Sequence, residues 1–257
     1  TCDVTPSLKA QEALRGWLAG GGRWYALHGT NSVLRLLADG PNAGLWEAPR
    51  WAPLLMDLLG SQFLSHPPIA PYTVTVADPG HPLVQGIEPF ETTDELYHLE
   101  RHGDLHVLLE TDCTEEGTGF VEAAGAPGVH PVMYIKAHGQ GAVLYNTLGH
   151  CRGHYDLQPM AEWWPTVDRC AWDLPVFYDL LRRGIGWIKA REPAYSCPRS
   201  GDPGEAIERG LGIVGPARQP VAEAVGDGCG HEPAVAPGGP LGDPIALEHE
   251  DVQTGIG

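Results

Sequence analysis

Four polar side chains that can bind a metal or move a proton follow predicted secondary-structure elements: His28, His66, Glu95 and His150. His28 comes directly after a short strand, and His150 follows a second strand with Gly149 between them. Ligands of open α/β sheets bind beyond the carboxyl ends of strands, so residues far apart in sequence are expected to meet there. Three imidazoles and one carboxylate suit zinc or another first-row divalent ion. The pattern predicts a polar pocket with His28 and His150 close to Glu95.

The segment Leu27-His28-Gly29 is predicted to turn sharply from a strand into a helix. A Ser or Cys at the tip of such a turn can act as a nucleophile, with backbone N–H groups nearby to stabilise an oxyanion. Histidine is not a usual acyl nucleophile, but it suits the role of ligand or general base. A histidine that merely packs in a tight turn is the alternative.

Two adjacent carboxylates, Asp94 and Glu95, precede Leu96-Tyr97. If residues 92–96 are extended, side chains alternate between the two faces, so only one of these carboxylates is expected to point inward. A solvated acidic surface is the alternative to a catalytic pair.

The six cysteines form no CxxC pair, and they are predicted to be mostly reduced thiols. Cys151 stands next to His150, which suggests a thiol–histidine pair. Adjacent residues of an extended chain point apart, however, and a nucleophilic pair needs hydrogen-bond contact. A nucleophilic Cys151 is therefore the less favoured alternative.

Charge and hydropathy exclude several classes of protein. The chain has 257 residues, 16 basic and 33 acidic side chains and a formal net charge of −17. Such a surface repels nucleic acid and anionic membranes. No stretch approaches the roughly 18 apolar residues of a membrane-spanning helix. We expect a cytoplasmic protein that has no nucleic-acid or membrane partner, with homo-oligomerisation left open.

Helix and strand patterns alternate over residues 1–190, which predicts an α/β domain. Helices are expected from Thr5-Pro6 to Gly20, through Val33–Leu37, over Trp51–Leu59 and over Pro175–Lys189. Strands are expected at Arg23–Leu27, Tyr72–Val76, Leu105–Leu109, and in a hairpin that joins Val132–Ala137 to Ala142–Leu148. The domain starts with a helix, so the opening strand and crossover of a doubly wound sheet, roughly 60 residues, are expected to be missing.

Composition changes near residue 190. Residues 191–257 contain 13 Gly and 9 Pro and no aromatic side chain beyond Tyr195. A segment of this kind buries too little apolar surface to offset its loss of conformational entropy. It is predicted to be a largely disordered acidic tail.

An ordered set of short motifs resembles the trehalose-utilisation (ThuA-like) family over roughly residues 1–190. The set comprises the run from Gly21 to Gly29, Gly60-Ser61-Gln62-Phe63 ahead of His66-Pro67, Asp78 with His81-Pro82, Asp94-Glu95-Leu96-Tyr97, and Gly139-Gln140-Gly141 leading to Leu148-Gly149-His150. The family is similar in fold to class I glutamine amidotransferases. The resemblance implies a three-layer flavodoxin-like sandwich in which His28 replaces the amidotransferase cysteine.

The resemblance further implies a role in the utilisation of trehalose or a related keto-sugar. Glu95, His28 and His150 are the predicted catalytic residues, and the same three are the predicted ligands of a divalent metal, with zinc favoured. The residues predicted to bind the sugar are Asn31, His66, Asp94, Tyr97 and Tyr155. If the protein is an enzyme, a metal-dependent hydrolase or isomerase fits these residues. The alternatives are an amidotransferase-like hydrolase that uses Cys151, and a noncatalytic carbohydrate-binding module.

Overall fold

The computed structural model of the protein describes residues 3–122, 128–156, 158 and 162–190. The predicted tail at 191–257 lies outside these residues, and the domain limits stay predictions. Within the described part of the chain, no helix has the length and apolar character needed to cross a membrane.

The fold is mixed α/β, as predicted, and is built around a curled six-stranded sheet. The strands are β1 (Arg23–Leu27), β2 (Arg35–Leu36), β3 (Trp46–Glu47), β4 (Ser61–Ser65), β5 (Ala70–Val76), β6 (Phe90–Asp94), β7 (His98–Arg101), β8 (His106–Cys113), β9 (Gly128–His138) and β10 (Gly141–Asn146). The large sheet has the order β1-β10-β9-β8-β5-β6, while β2 pairs with β3 and β4 pairs with β7.

The directions of the strands determine which carboxyl ends lie at the same edge of the sheet. Of the described strand pairs, β1–β10 alone is parallel, and the other pairs are antiparallel. The β9–β10 pairing is the hairpin predicted across Gly139–Gly141, and a turn this short requires antiparallel strands. Counted along the sheet, β1, β10 and β6 run in the same direction, so their carboxyl ends lie on one edge. The flavodoxin-like layering that the resemblance implies stays a prediction.

Three α-helices pack on the sheet: α1 (Leu8–Ala19), α2 (Pro53–Leu59) and α3 (Pro175–Lys189). Alternate residues of β10 face opposite sides. Leu144 packs in one apolar cluster with Phe177 of α3, and Val143 packs in another with Leu18 of α1 and Leu59 of α2. Strand β10 is therefore buried on both faces, which makes its carboxyl end a firm support for the residues that follow it.

The helix predicted through Val33–Leu37 is wrong. The chain forms a short 3-10 helix at His28–Asn31, and Arg35–Leu36 then pairs with Trp46–Glu47 as a small hairpin. The apolar run is too short to form several helical turns before the turn around Gly40-Pro41. Val33 is buried against the cluster that contains α2, whereas Leu36 is exposed.

Candidate functional site

The parallel strands β1 and β10 bring His28 and His150 together. His28 follows the last residue of β1 with a φ of +41°, and this unusual conformation makes the sharp turn expected from the sequence. His150 follows Gly149, whose φ of +120° suits glycine. The centroids of the two imidazole rings lie 5.6 Å apart. The turn histidine thus faces the site at the carboxyl edge of the sheet.

Glu95 lies among three imidazoles that come from separate segments of the chain. Its Oε1 atom is 2.9 Å from Nδ1 of His150 and 3.6 Å from Nε2 of His66, and its Oε2 atom is 3.3 Å from Nε2 of His28. The carboxylate is largely buried, with 9% of the residue exposed. We call His28, His66, Glu95 and His150 the His/Glu cluster.

Backbone carbonyls set the tautomers of two of these histidines. Nδ1 of His28 lies 2.8 Å from the carbonyl oxygen of Thr147, and Nδ1 of His66 lies 2.7 Å from that of Pro67. A carbonyl oxygen can only accept, so each Nδ1 carries a hydrogen and each neutral ring presents a lone pair at Nε2. Both lone pairs face the carboxylate of Glu95. A proton or a cation is needed between these groups to turn the contact into an attraction.

The same contacts determine the ionisation of Glu95 and His28. Although burial opposes ionisation, hydrogen bonds from His150 and His28 and the charge of His66 hold the pKa of Glu95 well below its ordinary value. Burial lowers the pKa of His28, but the hydrogen bond to Glu95 and the charges of Glu95 and Asp94 outweigh it, so the pKa of His28 is raised. The hydroxyl of Tyr97 also lies 3.0 Å from Nε2 of His28, where it donates to the neutral ring and accepts from the protonated one. An ionised Glu95 beside a readily protonated His28 is an acid–base pair as well as a ligand set.

Asp94 holds the backbone that carries the cluster. Its Oδ1 atom accepts from the amides of Glu95 and His150 at 2.8 and 3.1 Å, and its Oδ2 atom accepts from those of Gly149 and Ala171 at 3.0 and 3.2 Å. Burial raises the pKa of Asp94, while His28 and these N–H groups oppose that shift. The four bonds join the end of β6 to the segment after β10. The side chain is therefore engaged with the protein backbone.

The expectation that only one of the two carboxylates points inward is wrong. Asp94 is 1% exposed and Glu95 is 9% exposed, so both are buried. Strand β6 ends at Asp94, and the alternation of side chains that holds within a strand does not extend to Glu95.

Sequence reasoning missed Asp168, which stands beside His150. Its Oδ2 atom is 3.8 Å from Nε2 of His150 and 3.3 Å from Nη1 of Arg152. Backbone hydrogen bonds in both directions between residues 152 and 168 close the intervening loop and bring Asp168 to the site. An isolated bridge of this kind has no periodic pattern that could have predicted it.

The other predicted sugar-binding residues lie in different settings. Asn31 is fully buried and donates its amide to Oγ of Ser61 over 2.7 Å, a contact that favours a structural role. Tyr155 is 65% exposed, and its ring contacts that of His154. The exposed Cys151 follows His150 and is a free thiol. The roles assigned to these residues stay predictions.

The histidine and glutamate positions allow a test of metal fit. One ligand atom from each of His28, Glu95 and His150 lies within 4.8 Å of the others, in the part of the chain that the structure describes. Two ligand atoms of a tetrahedral zinc, each 2.0–2.2 Å from the ion, lie about 3.3–3.6 Å apart. Side-chain movements that shorten the ligand spacing by up to about 1.5 Å would bring the three to bonding distance. Nδ1–H bonds to backbone carbonyls, as in His28, are typical of metal-binding histidines. The three residues fit a divalent ion.

Comparisons with known proteins identify the family. The trehalose-utilisation family, ThuA, matches residues 5–163. A putative ThuA-like protein from Parabacteroides merdae is similar in structure, with a TM-score of 0.52, 16% identity, and coverage of 77% of this chain and 70% of that one. An exo-β-1,4-mannosidase from an Opitutaceae bacterium has a TM-score of 0.30 and 15% identity, covering 56% of this chain and 19% of that one. A search of curated proteins found no match. By its match over more than half its length, the chain belongs to the ThuA family.

Proposed function

We propose that the protein acts on a neutral disaccharide or on the keto-sugar derived from it, with trehalose as the reference substrate, and that the chemistry takes place at the His/Glu cluster. Membership of a trehalose-utilisation family supports the substrate class. The observation that carries the proposal is the buried carboxylate of Glu95 surrounded by three imidazoles at one edge of the sheet. Packed, hydrogen-bonded groups of this kind concentrate at catalytic sites.

His28, Glu95 and His150 are the proposed ligands of a divalent metal, and zinc suits their nitrogen and oxygen donors. When bound, such an ion would polarise a sugar carbonyl or hydroxyl as a Lewis acid. Ligand binding requires the loss of a proton from any protonated imidazole, so metal and proton compete for the same lone pairs.

The protein's own groups divide the remaining work. Glu95 accepts a hydrogen bond from Nδ1 of His150, which orients that ring and leaves the lone pair of its Nε2 available to a metal. The low pKa of Glu95 suits this orienting role better than the role of base expected from the sequence. The carbonyl of Thr147 accepts from Nδ1 of His28 and fixes that ring, while Tyr97 contacts its Nε2 in the metal-free protein. Tyr155 is the exposed aromatic proposed to contact the outer part of the sugar.

The test uses the full chain, loaded with zinc and assayed on trehalose and on 3-keto-trehalose. We expect one bound zinc, turnover that chelators abolish and that iodoacetamide leaves intact, and at least tenfold lower zinc affinity in His150→Gln. The control is His138→Gln. His138 also bonds a backbone carbonyl, that of Leu58, but it lies at the end of β9, on the opposite edge of the sheet.

Other outcomes separate the alternatives. Turnover that survives metal removal and is lost on alkylation of Cys151 would contradict the proposal and favour the amidotransferase-like hydrolase. Binding of trehalose with no turnover of either sugar would favour a noncatalytic carbohydrate-binding module.

A further inference from the structure

A groove lies beside the His/Glu cluster, between β6 and the segment around the second 3-10 helix (Cys170–Asp173). It has a volume of about 440 Å³ and is lined by residues that include Glu91, Thr92, Thr93, Asp168 and Cys170. Asp168 connects it to the cluster, because its Oδ2 atom is 3.8 Å from Nε2 of His150. The groove is therefore close enough to the proposed reaction centre to hold a second part of the same ligand.

Two buried polar atoms at this place have no hydrogen-bond partner among the described residues. They are Nε2 of His150 and Oγ1 of Thr92, in residues that are 7% and 2% exposed. A buried polar group without a hydrogen-bond partner destabilises a protein, so most such groups are satisfied. Thr92 lines the groove, and His150 faces the aspartate that lines it. Both atoms are suited to a polar ligand.

The charges around the groove indicate the chemistry of that ligand. Arg152 lies 3.3 Å from Asp168, and Arg169 bonds Asp173 over 2.7 Å. Each of these arginines is thus neutralised by an aspartate, while Glu91 adds a further negative charge. Carboxylates accept hydrogen bonds from alcohols, and hydroxyls both accept and donate them, whereas a phosphate or carboxylate ligand would need available positive charge. The lining suits a neutral, hydroxyl-rich ligand.

We propose that this groove binds the second ring of a neutral disaccharide whose first ring lies at the His/Glu cluster. One hydroxyl of the second ring donates to Oδ2 of Asp168, and another bonds the hydroxyl of Thr92. This inference rests on the proposed function, since it places the second half of the same substrate. It assigns Asp168 and Thr92 as binding residues.

The experiment measures trehalose binding to the zinc-loaded full chain by calorimetry, together with the melting temperature of each variant. Asp168→Asn is expected to weaken trehalose binding about tenfold, because a charged acceptor is lost. Thr92→Val keeps the shape of the side chain and is expected to weaken binding several-fold while the melting temperature stays the same or rises, because the hydroxyl that it removes has no partner in the free protein. A residue with a purely structural role would not separate binding from stability in this way.

Two control substitutions distinguish an effect on trehalose binding from an effect on stability or surface charge. Thr111→Val removes a hydroxyl that donates to the carbonyl of Thr73 over 2.8 Å, so it is expected to lower the melting temperature by a few degrees and to leave trehalose binding unchanged. Asp179→Asn changes an aspartate of α3 that pairs with Arg182 and Arg183, and it is expected to leave binding unchanged.

The possible results distinguish the groove inference from the proposed enzymatic function. Absence of trehalose binding by the wild-type protein, or unchanged affinity in both Asp168→Asn and Thr92→Val, would overturn the groove inference. Weaker binding in both variants, with wild-type protein that binds trehalose but turns over neither trehalose nor its keto form, would support the groove and contradict the proposed enzymatic function. Weaker binding together with turnover supports both.

Discussion

The substitution Glu95→Gln is expected to change stability by an amount that depends on pH. Glutamine has nearly the same shape as glutamate, and its amide oxygen can still accept from Nδ1 of His150, as Oε1 of Glu95 does over 2.9 Å. Its amide nitrogen can donate to the lone pair of His28, which lies 3.3 Å from Oε2 in the wild-type protein. The variant therefore loses the charge while it keeps the geometry.

The direction of the pH dependence of stability follows from the pKa shifts of His28 and Glu95. The raised pKa of His28 contributes stability that is complete below its ordinary pKa of 6.5 and is lost as pH rises through the folded-state value. The lowered pKa of Glu95 contributes stability that is present above its ordinary pKa of 4.5 and is lost as pH falls through the folded-state value. The attraction between His28 and Glu95 is therefore greatest between roughly pH 4.5 and 6.5.

The expected magnitude is that of one charge-assisted hydrogen bond in a buried site. At about pH 5.5, Glu95→Gln should lower the free energy of unfolding of the metal-free protein by about 1.5–3 kcal/mol. For a domain of this size this corresponds to a fall in melting temperature of roughly 3–12 °C. At about pH 8 the neutral His28 can accept from the new amide, so the loss should be below about 1 kcal/mol.

The assay is thermal unfolding from pH 5 to 8.5 in the presence of a chelator, with Glu88→Gln as the control because Glu88 is exposed in the loop before β6. Excess zinc is then added at pH 8. It should raise the melting temperature of the wild-type protein more than that of Glu95→Gln, because stabilisation by binding grows with affinity and the variant lacks one of the three proposed metal ligands. Equal losses at both ends of the pH range, or a larger loss at pH 8, would refute the assignment of a protonated His28 beside an ionised Glu95.

Three further substitutions test single contacts. Tyr97→Phe removes the hydroxyl that hydrogen-bonds Nε2 of His28 in the metal-free protein. It should lower the free energy of unfolding of that form by about 0.5–1.5 kcal/mol and slow turnover without loss of zinc, as measured by calorimetry and metal analysis. Cys151→Ser should leave turnover within twofold, and a large loss would favour the thiol mechanism. Gly149→Ala should cost about 1–3 kcal/mol, because φ is +120° and the new Cβ would lie 3.2 Å from Cζ of Phe177; an unchanged melting temperature would contradict this.

Regular patterns in the sequence predicted the parts of the fold that local physics controls. The helix over Pro175–Lys189 has the bounds expected from its apolar period and first-turn proline, and the β9–β10 hairpin forms across the expected glycines. The direction of the remaining strands could not be predicted in this way. It depends on pairings such as β5 with β8, which are long-range contacts with no local pattern.

The candidate site was predictable where a residue follows a strand, and not where it depends on a loop. His28 and His150 follow two parallel neighbours, so the general rule for sheet edges was enough to place them together. Asp168 reaches His150 through one isolated bridge, and the tautomers of His28 and His66 depend on carbonyls of Thr147 and Pro67. These details come from tertiary packing and have no counterpart in residue spacing.

The adjacent carboxylates show why the end of a strand can separate two similar residues. Within β6 the side chain of Asp94 points to the buried face, where four backbone amides surround it. One residue later the strand has ended, and Glu95 turns into the cluster of imidazoles instead of the opposite face. Asp94 can therefore hold Glu95 and His150 in place only because its own carboxylate is bound to the backbone. The same geometry that engages Asp94 with the backbone leaves Glu95 to face the three imidazoles.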